Sequence, residues 1–570
     1  MSRSLFALFV GSVVCMAFPQ ISSGYGGNSF LGKSLSHWKK QLNSTNPKER
    51  RSAAFAIGKI QEHAVAEVPM LLKIARNDEN PAVRDAAAYA IGEICKVGLG
   101  GPSTDDPELP AKLRAAFRSE KAPLVRRSLV YAIGCLPRAE VINSLRLLNE
   151  VVSNPKENPA VRQNAAWALG QMDASAVNSL RKALRDSDNL VKRDAAMALL
   201  NYKEDAAPAL RELLECLPCP NSEVRKAASS LLVDIVTPQD ADVAKEPLVG
   251  RLVDPYEEIR WNAALALGNI GGPAATKAVD LFVTALKSKN IRRIRQAAGA
   301  INTIGPTAKP AIPTLLNLLD HKNKEVRQMA SVALGGIQRE ATTAIPKLVQ
   351  VVTDRSEAVE VRRWAADAIL RIGQDAMKDE TIQREGVPQV KNAVPILTKV
   401  IADKSDLPLA RNWAMIALFG HGGHLRYEEA LLQTLEETLK EPKTEENRKF
   451  RYDSAFLLGR LRGPKATKQT IDTLGEYLKD KTFQIYTGKV DSGTSGTGVE
   501  KGGGNVKAQG TVSGDARVLP LSALDEIGGN VVKTRPAIIQ ELKNILQEKE
   551  ALPEVKAAAK ELLANVKKAM

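Results

Sequence analysis

Val161-Arg162-Gln163-Asn164-Ala165-Ala166-Trp167-Ala168-Leu169-Gly170 decides the fold, because versions of it return along the whole 570-residue chain. Val161, Ala165, Ala168 and Leu169 stand at i, i+4, i+7 and i+8, one stripe of a 3.6-residue helix. Ala166 and Gly170 lie off that stripe, so apolar or small residues cover much of the circumference. The motif therefore reads as a largely buried helix. Its small second face allows a neighbouring helix to approach to the short end of the usual axis separation of about 8–10 Å.

Copies that keep Arg eight residues before Gly begin at Arg84, Arg126, Arg260, Arg327 and Arg451. Looser copies keep the basic residue and lose the Gly, at Lys192, Arg225, Arg295, Arg362 and Arg411. Arg50, Arg517 and Lys556 extend the series, giving fourteen copies at a mean period of about 39 residues, within the range of helical solenoids. A second apolar segment sits between copies, as at 311–320, 344–354, 393–403 and 68–78, with Pro near its start and Asp after its end. Each unit is thus a helix pair that cannot bury its apolar faces alone, and stacking is required. The predicted fold is all-α, an α-solenoid of about fourteen stacked helix pairs.

These motifs resemble HEAT repeats, of the short HEAT-like variety also found in phycobilin lyases, from about Leu35 to Leu563. The resemblance implies that the motif helices line a concave side and that the recurrent Arg pairs with a turn Asp of an adjacent unit. It also implies a scaffold more readily than an enzyme.

Arg3, the apolar run 5–18 and the polar Ile21-Ser22-Ser23-Gly24 predict a signal peptide over 1–24, and hence an exported, periplasmic or extracellular chain. The run is short for a spanning helix, and the alternative to a cleaved signal is an uncleaved anchor. The solenoid is then expected over 25–480 and again over 517–570. Between them, residues 481–516 form an insertion rich in Gly, Ser and Thr inside one repeat's turn. Its composition cannot offset the entropy of ordering, so disorder is expected. Smaller excursions fall at 97–110 and around 374–390.

Gly27-Asn28-Ser29-Phe30-Leu31-Gly32-Lys33-Ser34 matches the P-loop pattern, but no strand precedes it and no parallel-sheet pattern follows, so it is read as chance. Cys216-Leu217-Pro218-Cys219 fits a local disulfide, two ordinary thiols, or a redox pair, and lacks the second C-x-x-C of a zinc site. Cys95 and Cys135 sit near the ends of consecutive motif helices. His421 and His424, at i and i+3 with Glu428 and Glu429 nearby, are the one weak metal candidate; the intervening glycines equally suit a helix cap. No metal, cofactor or catalytic constellation is expected.

Net charge is +15. The residue after the motif cation is basic at Arg51, Arg127, Arg193, Lys226 and Arg363, a shared azimuth, and Arg292 and Arg293 add a cluster beside Arg295. Such a row attracts acidic proteins, anionic polymers or nucleic acid. A solvated face is equally consistent, since other copies place Asp85, Gln163, Gln328 or Val518 there. The expected function is an exported, non-catalytic scaffold holding an acidic protein partner. The alternatives are a lyase-type enzyme resembling the phycobilin lyases, and binding of nucleic acid or an anionic polymer. An export signal and few aromatic residues disfavour these alternatives.

Overall fold

Asn-Pro opens three of the motif helices, Pro47–Ile60, Pro81–Cys95 and Pro159–Leu169, and shows how the chain sets its repeat boundaries. Proline at the first helical position gives up an amide that no helix would use. The Asn46, Asn80 and Asn158 side chains accept from the amides of Lys48, Ala82 and Ala160. The same cap recurs without proline at Asp188, Asn221, Asn290 and Asn323.

The computed structural model describes residues 29–96, 106–136, 143–376, 378–379, 387–419, 425, 428–480, 517–548 and 551–570. The signal segment, the insertion and most of the 97–110 excursion lie outside these residues, as do parts of 374–390. Each of the fourteen motif cations falls on its own helix, with Arg517 at the cap of Val518–Ile527. The fold is an all-α stack of HEAT-like helix pairs. A two-stranded antiparallel hairpin, Ser29–Phe30 with Lys33–Ser34, is the one sheet among the described residues. It occupies the P-loop look-alike: Ser34 caps the helix Leu35–Gln41 and Lys33 lies over the Trp38 ring.

Two compact units divide the chain, one ending at Ala266 and the other beginning at Leu267. In the first, the motif helices Pro47–Ile60, Pro81–Cys95, Pro123–Gly134, Pro159–Leu169, Asn189–Leu199 and Ser222–Ile235 pack each against the next. In the second, the same is true of Ile291–Ile304, Lys324–Ile337, Val359–Ala376, Pro408–Ile416 and Glu445–Arg462. Second helices such as Val68–Asn77, Leu145–Val152 and Val279–Leu286 pack against the motif helices, which are thereby covered on one side.

The Gly eight residues after the motif Arg explains itself at these contacts. A Cβ on Gly58 would stand 2.7 Å from the Ala90 Cα, one on Gly134 2.7 Å from the Ala168 Cβ, and one on Gly170 2.7 Å from the Ala198 Cβ. Helix backbones approach too closely for any side chain there. Between the helices of several pairs runs a 3-10 turn, as at Gln338–Ala344 and Gly305–Ala311. Its buried alanines, Ala341 with Ala344 and Ala308 with Ala311, sit three apart, the period of that helix.

Candidate partner-binding face

The motif Arg is a structural cation. Arg50 donates from Nε and Nη2 to Asp78 at 2.7 and 2.9 Å, and from Nη1 to the turn carbonyls of Ser44 and Thr45. A guanidinium fork matches a carboxylate edge and still has donors left for carbonyls that the turn leaves unpaired. The arrangement repeats in the first unit at Arg84 with Glu120, Arg126 with Glu157, Arg162 with Asp186 and Arg225 with Asp254. In the second unit it joins Arg327 to Glu357, Arg362 to Asp406, Arg411 to Glu441 and Arg517 to Glu548. The pairing implied by the family resemblance is thus present, with Glu in five of these nine pairs and Asp in four. It is imperfect in two places in the second unit. Arg451 stands 3.9 Å from Glu476, and Arg295 reaches only Glu325 at 3.6 Å with its side chain 57% exposed.

The residues that follow the motif cation share a register on helices packed side by side, and the structure shows what surrounds each. Arg51 is exposed. Asp85 interacts with both Arg51 and Arg127 and accepts from the Ser128 hydroxyl at 2.6 Å. Burial raises the Asp85 pKa, and the two arginines and the hydroxyl only partly oppose it. Arg193 is paired with Asp194 at 2.7 Å, and Lys226 with Glu223 at 3.1 Å while lying over the Tyr256 ring. In the second unit Arg363 sits 5.0 Å from the Trp364 ring and 5.1 Å from that of Trp413. The row is therefore partly compensated from within. Among the cluster residues, Arg292 is exposed and Arg293 half-buried.

An aromatic ladder runs along the same face of the first unit and was not foreseen. Phe30, Phe55, Tyr89, Tyr131 and Trp167 follow one another with ring centroids 6.4, 6.1, 5.5 and 5.2 Å apart. Four of them stand five residues after the motif Arg, a register visible in the sequence. Lys59 lies over the Phe55 and Tyr89 rings and donates to the Tyr89 hydroxyl and to Glu93. Glu93 also accepts from the Tyr131 hydroxyl at 2.6 Å. Burial works against both charges, yet Lys59 and Lys96 hold Glu93 below its ordinary range and Glu93 holds Lys59 above its own. The network is a closed ion pair within the ladder.

Cys95, Cys135, Cys216 and Cys219 carry free thiols. Burial pushes Cys216 up to about 11, the reverse of the depressed pKa an exchanging thiol needs. Cys216 and Cys219 make separate contacts, to the Leu184 carbonyl and the Asn189 side chain. His421 and His424 lie outside the described residues. Among the described residues no group of three His, Cys, Asp or Glu side chains is placed to hold a metal, and no helix is long and apolar enough to cross a membrane.

Helix pairs stacked around an internal Arg–carboxylate ladder define an α-helical repeat protein. A family model of HEAT repeats matches residues 35–134, 145–232, 210–303 and 312–418. That is more than half of the chain, which belongs to the HEAT-repeat family. Solved structures similar to it include an engineered protein at 22% identity, covering 67% of this chain and 98% of that one, with a TM-score of 0.44. Importin beta is similar at 14% identity, covering 94% of this chain and 75% of that chain, with a TM-score of 0.44. The karyopherin Kap121p, solved bound to the extreme C-terminus of the phosphatase Cdc14p, is 14% identical over 94% of this chain and 57% of its own, with a TM-score of 0.42. No curated protein matches the chain.

Proposed function

We propose that the chain is an exported, non-catalytic scaffold that binds an acidic partner protein. The observation that carries the reading is the division of labour among its cations. Nine of the motif arginines are paired with carboxylates inside the stack, while the net charge of +15 remains for the surface. Packed motif helices present that surface as a continuous face bearing Arg51, Arg127 and the partly exposed rings of Phe55 and Tyr89. Aromatic and arginine side chains are what protein interfaces concentrate. Export rests on Arg3 and the apolar run that follows it.

Affinity capture from the exported fraction, with the chain lacking residues 1–24 as bait, tests the reading. Recovery of one stoichiometric acidic protein supports it. Partition of the full chain into the cytosolic fraction overturns export, and recovery of a covalently held small chromophore with no protein overturns the scaffold.

A further inference from the structure

The Arg–carboxylate ladder has a register. Its acid stands six residues before the next motif cation at Asp78, Glu120, Asp186 and Asp254, and five before it at Glu157, Glu357 and Asp406. Six residues before Arg295 the chain has Lys289, and six before Arg327 it has His321. The hydrogen bond these acids make to the turn is kept by His321, and at the other turn Ser288, one residue before Lys289, makes one in its place. Asp78, Asp186 and Asp254 each accept from the amide two residues on. His321 accepts likewise from the Asn323 amide through Nδ1 at 3.1 Å, and Ser288 Oγ accepts from the Asn290 amide at 3.3 Å. Both turns have given up the negative charge, and each still has a side chain accepting from a turn amide.

Cations crowd the place left open. Between Lys287 and Arg327 the sequence has nine Lys and Arg residues and two acids. Both acids are taken, Asp320 by Lys347 at 2.7 Å and Glu325 by Arg295 at 3.6 Å. Lys287, Lys289, Arg292, Lys322 and Lys324 are exposed, and no ion pair joins any of them to a described residue. They lie on the turns and first residues of Ile291–Ile304 and Lys324–Ile337, helices that pack side by side, and the Arg295–Glu325 contact links one first turn to the other. Like charges gathered on adjacent turns repel, and nothing in the fold needs them there.

We infer that this edge is where the scaffold engages its partner, and that the bound element is an Asp- and Glu-rich segment of a protein. The inference rests on the acidic-partner reading above and places the contact on the turns instead of the partly compensated row. Three features favour a polypeptide over a phosphate backbone. Asn290 and Asn323 already cap the helix amides that would cradle phosphate. No Phe, Tyr or Trp occurs between Lys287 and Arg327 to stack on a base. Ile291, 37% exposed among the cations, offers the apolar contact an acidic peptide uses and a sugar–phosphate chain does not.

Fluorescence anisotropy with a labelled glutamate oligomer, titrated with the full chain at low salt, tests the inference. The wild-type chain is expected to bind, more weakly as salt rises because screening shortens to about 8 Å at 0.15 M. Reversing Lys287, Lys289, Arg292, Lys322 and Lys324 to Glu should weaken binding by about tenfold or more, and changing the five to Gln by less. The Lys543→Glu variant, which reverses an exposed cation outside this edge, should match wild type. Circular dichroism separates lost binding from lost fold, and the Gln set keeps the test open if the Glu set unfolds. Unchanged affinity in the folded five-site variant overturns the inference. Loss in an Arg51→Glu variant but not in the five-site variant overturns it while leaving the acidic-partner reading intact, and failure of the wild type to bind the oligomer removes both. Tighter binding of duplex DNA than of the oligomer, abolished by the five changes, assigns the edge to nucleic acid and also overturns it.

Discussion

The turn around Asp406 and the turn around His321 each lead into a motif helix and do opposite things with charge. At the first, Arg362 is 2% exposed, donates to both carboxylate oxygens of Asp406 at 3.0 and 2.6 Å, and gives Nε to the Val352 carbonyl. At the second, Arg295 is out in solvent beside Glu325, and the position of the acid holds an imidazole that serves only the turn. A motif helix forms after either turn, although Leu407 caps one with no side-chain bond and Asn323 caps the other with its side chain. The ladder carboxylate is therefore a stabilising addition to the repeat and not a condition for folding it, and it can be given up where the surface is wanted for something else.

The sharpest way to break that comparison is to remove each arginine. Arg362→Ala leaves Asp406 buried without its counter-charge, and the expected loss is about 3–5 kcal/mol. Arg295→Ala removes an exposed, long contact and should change stability by no more than about 0.5 kcal/mol. Urea denaturation of both variants measures the difference. Equal losses would show that the two turns are energetically alike.

Packing follows the same division. Gly58→Ala puts a methyl against the Ala90 Cα, which cannot move without shifting a helix, and should cost about 1–3 kcal/mol. Helix Ile291–Ile304 in the open region has Thr303 at the corresponding position, and its own Gly299 would meet nothing within 4 Å. Gly299→Ala should stabilise by up to about 1 kcal/mol through helix propensity. Thermal melts of the pair resolve opposite signs.

Much of this was legible in the residues. Periodicity alone located the fourteen motif helices, because a buried stripe and a recurring cation are local signals. The close approach at Gly58, Gly134 and Gly170 followed from their small size. The Arg–carboxylate pairing came only with the family resemblance, since the acid shifts between five and six residues from the next cation, and Arg411 takes Glu441 from ten residues before Arg451. Sequence reasoning passed over the aromatic ladder, although Phe55, Tyr89, Tyr131 and Trp167 share one offset. Whether equal offsets touch depends on how neighbouring helices are rotated, which no single repeat encodes. For the same reason the row Arg51, Arg127, Arg193, Lys226 and Arg363 could be placed on one azimuth, with Asp85 in its register, while the pairing of Asp85 with Arg51 and Arg127 and the acid Asp194 beside Arg193 went unseen.

Acidification offers a further contrast. The hydrogen bonds from Arg362, helped by the Leu407 amide, hold the Asp406 carboxyl below the usual range. A depressed carboxyl pKa contributes stability that is complete above the unfolded-state value near 4 and is lost as pH falls through the folded value. The gap between wild type and Asp406→Asn should thus be constant from neutral pH down to about 5 and narrow below it. Denaturation midpoints across that range check the sign. A gap that widens on acidification would mean that Arg362 does not stabilise the ionised form.

The smallest effect, and the most informative, is expected from restoring the acid. His321→Asp returns a carboxylate to the ladder position before Arg327, one helix on from Arg295, and Asp can accept from the Asn323 amide as His321 does. Arg295 must give up solvent and rotamer freedom to reach it, so the gain should be about 0.2–1 kcal/mol and should vanish in an Arg295→Ala background. A double-mutant cycle isolates that coupling. The new charge also sits beside Lys322 and Lys324, so the same substitution should weaken binding of the glutamate oligomer while it stabilises the chain. Stability and binding moving in the same direction would show that the missing carboxylate and the exposed cations are unrelated.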